Sequence, residues 1–310
     1  VSTPPFLDLP AGAVARPLRT ARGDFATLDT EPASGPSPAG GTALLLPGYT
    51  GSKEDFIALL APLTAAGHRV VAVDLRGQHG TGGPRDEAVY ALPELAADVL
   101  AMADALIGAD GRPVHLLGHS WGGLIGRAAL LLDSGLGTDP EITDDAPTTP
   151  ASSSTRFASW TAMSSGPAAL QDSEVARTKL LVDGVRTLPL DVLWPSVNPN
   201  PPADAAIGEF LRRRWLGTVP EALIAGGEQL VQEPDRVAAL ATLPLPKLVL
   251  SGSTDWAWPV PWQDDMARRL GARRVVVDGA GHSPNTERPT ETAGHLTAFW
   301  HEVGRDRDQG

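Results

Sequence analysis

The sequence predicts an α/β fold: a doubly wound, mostly parallel sheet of eight strands, with a helical segment inserted after the sixth. Three observations carry this prediction. Short apolar runs such as Thr42–Leu46 and Arg69–Val73 alternate with helical patterns, the mark of strands covered on both faces. A strand-to-helix turn, Gly118-His119-Ser120-Trp121-Gly122, stands near the middle of the chain. Between 166 and 243 the alternation stops and helical segments dominate, before two more strands complete the pattern.

Composition bounds the function. A chain of 310 residues suits one α/β domain with an insertion. Hydrophobic residues at 42% and charged residues at 20% describe a globular protein. The net charge of −12 lacks the basic footprint that a nucleic-acid or anionic-membrane partner needs. With no cysteine, disulfides, thiolate catalysis and Cys-ligated zinc are excluded. No run of about 18 apolar residues exists, so no membrane span is expected. The chain starts at Val1 without a charged-then-apolar leader, so a cytoplasmic location, or a leader already removed, is the expectation.

Taken in order, the first 41 residues read as two edge strands, with 25–28 alternating and 31–41 a Pro/Gly/Ser turn. The buried strand Thr42–Leu46 empties into Pro47-Gly48-Tyr49-Thr50-Gly51-Ser52. Ser52 and Asp55 have capping-box spacing, and Phe56, Leu59, Leu60 and Leu63 follow at helical intervals. A second buried strand, Arg69–Val73, ends at Asp74-Leu75-Arg76-Gly77, whose acid and base are read as a structural pair. Pro93 opens a helix with Leu95, Val99, Met102 and Leu106 on one face.

The central strand, 113–117, runs into Gly-x-Ser-x-Gly and then into a helix over 123–132. This arrangement is a nucleophile elbow. Its serine sits on a sharp turn at the amino end of a helix, where backbone donors and the helix dipole favour developing negative charge. Residues 133–155, rich in Asp, Thr, Ser and Pro, read as a flexible acidic loop that cannot bury enough to order itself. Strand Phe157–Met163 follows, then the helical segment, including a helix over 204–215 and a Pro/Asn-rich connector over 194–202. The run Arg212-Arg213-Arg214 is read as a solvated face. Strand 247–250 opens into a loop with Asp255, and strand Arg273–Val277 into a loop with Asp278 and His282. A last helix from Pro289 buries Leu296, Phe299, Trp300 and Val303, and 305–310 is a polar tail.

With its elbow, glycine loop and two acid- and histidine-bearing strand ends, the chain resembles an α/β-hydrolase fold serine hydrolase, esterase- or lipase-like. The resemblance implies a triad of Ser120, His282 and Asp255, in the chain order the fold uses. Asp278 is the competing acid, closer in sequence to His282 but at the strand end. It also implies an oxyanion hole from the backbone N–H groups of Tyr49 and Trp121. The family's loop usually reads His-Gly-x, and here Pro47 stands in the histidine's place. The division implied is a core of 1–165 and 244–310, with a helical cap over 166–243 that shapes the pocket.

The expected chemistry is cleavage of a carboxylic ester or lactone through an acyl-enzyme, with no cofactor and no metal. A serine at the elbow argues against epoxide-hydrolase or dehalogenase chemistry, which the family builds on an aspartate. Trp160, Trp194, Trp215, Trp256 and Trp258, with Trp262 nearby, suggest an apolar wall for a small apolar substrate. An aminopeptidase or amidase of the same fold stays open, with Glu209, Glu221 and Glu228 as candidate amine holders. So does a small-ligand receptor without turnover.

Overall fold

The computed structural model describes residues 2–32, 40–107, 111–137 and 156–308. Its strands are β1 (Ala13–Thr20), β2 (Gly23–Thr30), β3 (Thr42–Leu46), β4 (Arg69–Val73), β5 (Val114–His119), β6 (Phe157–Met163), β7 (Lys247–Gly252) and β8 (Arg273–Val277). They form one sheet in the order β1-β2-β4-β3-β5-β6-β7-β8. The β1–β2 and β2–β4 pairings are antiparallel, and all others are parallel.

The helices are α1 (Ile57–Ala65), α2 (Leu92–Leu106), α3 (Trp121–Asp133), α4 (Asp172–Thr187), α5 (Leu190–Val197), α6 (Ala205–Leu216), α7 (Pro220–Gln232), α8 (Val237–Ala241), α9 (Val260–Leu270), α10 (Pro284–Glu287) and α11 (Pro289–Asp308). None among the described residues is long and apolar enough to cross a membrane.

The apolar strand runs follow from burial on both faces. Successive side chains of a strand point to opposite sides. Leu44 and Leu46 therefore join the core with α2, α3 and α9, while Ala43 and Leu45 join the core with α1 and α11. Val71 and Val73 divide from Val70 and Ala72 in the same way, and Leu116 from Leu117.

Three expectations need correction, and one helix was not foreseen. The elbow strand continues through Gly118 and His119, and α3 begins at Trp121, so the turn is a single residue, Ser120. The connector over 194–202 is helical in its first half, because Trp194 and Val197 pack into the insertion and favour α5 over a loop. The polar tail is helix as far as Asp308: charge on a solvent-facing side does not end a helix. Helix α9 escapes the apolar-period reading, since Gln263, Asp264, Asp265, Arg268 and Arg269 crowd between its few apolar residues.

The segment between β6 and β7 has its own small cores. Val182, Val185, Leu190, Trp215, Leu223 and Ile224 form one, and Ile207, Phe210 and Leu211 another. Helix α8 lies within 166–243 but sends Val237, Ala239 and Leu240 into the main core. Of the acidic loop expected over 133–155, Asp133 is the last residue of α3, and 138–155 lie outside the described residues.

Candidate active site

The carboxyl ends of β5, β7 and β8 converge on one point, as open parallel sheets direct their loops. Ser120 stands there with φ 55° and ψ −120°, a left-handed backbone that a non-glycine residue rarely adopts. The flanking glycines make it feasible. A Cβ on Gly118 would lie 2.2 Å from the Gly122 carbonyl oxygen, and one on Gly122 would lie 2.5 Å from that of Leu46.

Ser120 Oγ donates to His282 Nε2 at 3.0 Å, and His282 Nδ1 donates to Asp255 Oδ1 at 2.8 Å. A carboxylate can only accept, so the proton sits on Nδ1 and Nε2 is left bare toward the serine. Asp255 also accepts from the Ala257 amide at 3.0 Å and from Gln263 Nε2 at 2.9 Å. Burial pushes its carboxyl pKa up, but the bonds from His282, Ala257 and Gln263 outweigh that and hold it below the usual carboxylate value. Asp278 is exposed at the end of β8.

Two residues that sequence reasoning passed over complete this line. His119, the variable residue of the elbow, donates Nε2–H to the His282 carbonyl at 2.8 Å and so ties the histidine's loop to the elbow. Burial, helped by neighbouring His282, pushes its pKa down to about 3, which keeps it neutral. Gln263 on α9 bridges Asp255 and the Trp258 carbonyl, at 2.9 and 2.8 Å. Nothing in the spacing of either residue announces this role.

The loop after β3 runs beside the serine. A Cβ on Gly48 would lie 3.2 Å from Ser120 Cβ and 3.6 Å from its Oγ. Gln78 Nε2 donates to the Gly48 carbonyl at 2.8 Å and fixes the loop's course. Trp121 is the first residue of α3, directly after Ser120. Among the described residues the Tyr49 and Trp121 amides have no backbone or side-chain acceptor, whereas those of Gly51 and Gly123 donate to the Gly48 and Ser120 carbonyls.

A cavity of about 290 Å³ opens over Ser120 and His282. Its apolar wall includes Leu170, Leu230, Trp256 and Ala257, and its polar wall includes Ser2, Glu174, Thr178 and Glu287. The expected tryptophan wall is corrected accordingly. Trp256 alone of that set borders the cavity, half exposed, with its ring 4.8 Å from that of His282. Trp258 is buried, donating to the Ala168 and Ala169 carbonyls. Trp160 is buried in β6, Trp215 donates to the Leu190 carbonyl at 2.7 Å, and Trp194 packs among the insertion's helices. Trp262 is exposed on α9. Large rings were needed for core volume here, not for a wall.

Other candidates also find places. Glu221 pairs with Arg85 and Glu228 with Arg186, and neither they nor Glu209 border the cavity. Asp74 pairs with Lys53 and Arg76 with Asp98, so the acid and base of that motif do not pair with each other. Arg214 is not solvated but buried, donating to Asp55 at 2.7 Å and to the Ser2 carbonyl at 2.7 Å. His79 packs edge-on against Phe210 outside the cavity. Among the described residues no group of three His, Asp or Glu is arranged to hold a metal.

Three buried histidines make stability depend on acid. Burial pushes His115 and His119 down to about 3, and His68 down to about 4, the last with help from stacked His301. Each is neutral when folded but takes a proton in the unfolded chain below about pH 6.5, so each loses stability for the fold as pH falls toward the folded value. Asp55, held up to about 6 by burial, works in the opposite direction below that pH. His115→Leu is therefore expected to gain on the wild type by about 2 kcal/mol between pH 7 and pH 5. Urea unfolding at both pH values measures this. Parallel losses in the two proteins would contradict it.

A family model described as the alpha/beta hydrolase family matches residues 43–295. Over 90 residues, 29% of this chain, the sequence is 43% identical to a protein of Variovorax paradoxus named for carbamate hydrolysis, RutD. Over 89 residues it is 34% identical to epoxide hydrolase B of Mycobacterium tuberculosis. The matched stretches span 32% and 24% of those relatives' own lengths. Among solved structures, a hydrolase from Pseudomonas aeruginosa superposes with a TM-score of 0.69 at 23% identity, covering 94% of this chain and 99% of that one. The enol-lactonase from Burkholderia xenovorans gives 0.69 at 20% identity, covering 92% and 99%. At these identities the likeness is one of fold.

Proposed function

This chain belongs to the alpha/beta hydrolase family, and from that premise we propose that it is a serine hydrolase cleaving a small carboxylic ester or lactone through an acyl-enzyme. The observation that carries the reading is the unbroken line of hydrogen bonds from Ser120 through His282 to Asp255, with the serine on a strained turn at the foot of a cavity. In this reading His282 Nε2 takes the proton of Ser120 as Oγ bonds to the substrate carbonyl carbon. The carbonyl oxygen, now negative, is held by the Tyr49 and Trp121 amides. When the carbon–oxygen bond to the leaving group breaks, His282 returns the proton to the departing alcohol, or to the opened end of a lactone. Water, losing its proton to His282, then releases the acid and restores Ser120.

The relatives' names bear on the choice of bond. Esters, lactones and carbamates all present an acyl carbon bonded to oxygen, which Ser120 can attack. Epoxide opening through an ester on an aspartate would require an acid at the elbow, where this chain has Ser120. The cavity mixes apolar Leu170 and Leu230 with polar Glu174 and Thr178, which suits a compact ester carrying a polar group better than a long alkyl chain. Assay of p-nitrophenyl acetate, butyrate and octanoate, a γ-lactone and a phenyl carbamate tests the proposal. Turnover of the short esters or the lactone is expected, with octanoate the poorest ester. Saturable binding without turnover would favour a receptor instead.

A further inference from the structure

We propose that helix α7 is the clamp that positions both oxyanion donors, with Gln229 as its principal positioning residue. This inference rests on the reading of Tyr49 and Trp121 given above. The two amides come from separate parts of the fold, the loop after β3 and the first turn of α3. Both side chains reach the same helix. Trp121 Nε1 donates to Gln229 Oε1 at 2.9 Å, and the Tyr49 hydroxyl donates to the Leu223 carbonyl. The two rings meet edge-on, 6.1 Å apart and 78° inclined. They sit on a notch in α7 that only glycines permit. A Cβ on Gly226 would lie 2.9 Å from Trp121 and 3.1 Å from Tyr49, and one on Gly227 would lie 2.8 Å from the Tyr49 hydroxyl.

Gln229 is itself anchored, since its Nε2 donates to the Tyr90 carbonyl at 2.7 Å. The carboxamide therefore has one fixed orientation, with its oxygen turned to the indole. An aromatic ring that buries its face and satisfies its only polar atom on one helix moves with that helix. The amide nitrogen of the same residue is a few bonds away, so a shift of α7 is transmitted to the donor that faces the reacting carbonyl. Neither side chain of the pair is needed to make an amide N–H, and a smaller residue would serve at both positions if the amide alone mattered. An oxyanion hole acts only when its donors are aimed before the charge develops, and small misplacements are costly. The insertion thus contributes to rate, not only to the shape of the pocket.

The test compares Gln229→Leu, Gly226→Ala, Trp121→Phe and the Gln229→Leu/Trp121→Phe double variant with the wild type. For each, kcat and KM on p-nitrophenyl acetate, affinity for an alkyl boronic acid and thermal unfolding are measured. The boronic acid adds Ser120 Oγ and places a tetrahedral oxygen where the oxyanion would lie. Gln229→Leu is expected to lower kcat and boronic-acid affinity together, by about 10- to 100-fold, with KM within about threefold. Trp121→Phe should match it, and the double variant should be no worse than either, since both remove one contact. Gly226→Ala should produce the same pattern by pushing both rings. Unchanged kcat in Gln229→Leu, or a change confined to KM, would overturn the clamp and leave the hydrolase reading intact. A wild type that neither turns over any ester nor is labelled at Ser120 by a fluorophosphonate would overturn that reading and the clamp with it.

Discussion

Ser120→Ala is expected to lower kcat for p-nitrophenyl acetate by roughly 10⁴–10⁶-fold, leaving KM little changed. The substitution removes the atom that forms the acyl bond, so no partial function of that atom survives. What remains is turnover by water held near the Tyr49 and Trp121 amides. Stability should be nearly untouched, because the Oγ contributes one hydrogen bond, to His282, in an open cavity. The strained φ of 55° stays whatever the side chain, so the variant does not gain from relaxed backbone either. Steady-state kinetics with circular dichroism on the same sample checks this. Activity within tenfold of the wild type in a folded protein would contradict it.

The second large effect concerns the acid. Asp255→Asn should cost about 10⁴ in kcat, while Asp278→Asn should fall within about threefold of the wild type. An amide at 255 can present its N–H to His282, which reverses the tautomer and puts a proton on Nε2, where the serine's own proton must go. Gln263, which donates to Asp255 Oδ2, helps to hold that side chain in place whichever group it carries. Asp278 is exposed and has no part in the line. Kinetics of the two variants side by side decides the matter. A larger loss from Asp278→Asn would mean that the wrong carboxylate had been assigned.

Much of the fold was legible because burial on both faces leaves a continuous apolar trace. The runs at Thr42–Leu46, Arg69–Val73 and Phe157–Met163 coincide with strands whose alternate residues enter two cores. The site's frame was legible for a different reason. A serine between two glycines at a strand end leaves few backbone alternatives, and the order of the later loops narrows the rest. Distances between such residues were never in the sequence, since they depend on how β5, β7 and β8 lie side by side.

What stayed hidden had no local signal. His119 acts through one hydrogen bond that spans 163 positions of sequence, and Gln263, which bridges Asp255 and the Trp258 carbonyl, is a glutamine on a charged helix that looks like any other. Arg214 was hidden by its neighbours: Arg212 and Arg213 are exposed, whereas the third turns inward to Asp55 across 159 positions of sequence. The tryptophans misled because a large ring is equally suited to a core and to a pocket wall, and only packing decides between them. Two adjacent glycines inside a helix, Gly226 and Gly227 in α7, run against helix propensity, and the reason for them lies in Tyr49, Trp121 and, at Gly227, Val182 of α4.

The central claim is that a covalent acyl group forms on Ser120, and the most direct measurement is to catch it there. Rapid acid quench of the reaction with p-nitrophenyl acetate, followed by intact-mass spectrometry and peptide mapping, reads the adduct. One added acetyl group, on the peptide carrying Ser120 and absent from Ser120→Ala, is the result expected. Ester turnover with no adduct on that peptide, or with the adduct on another residue that tracks the rate, would contradict the account.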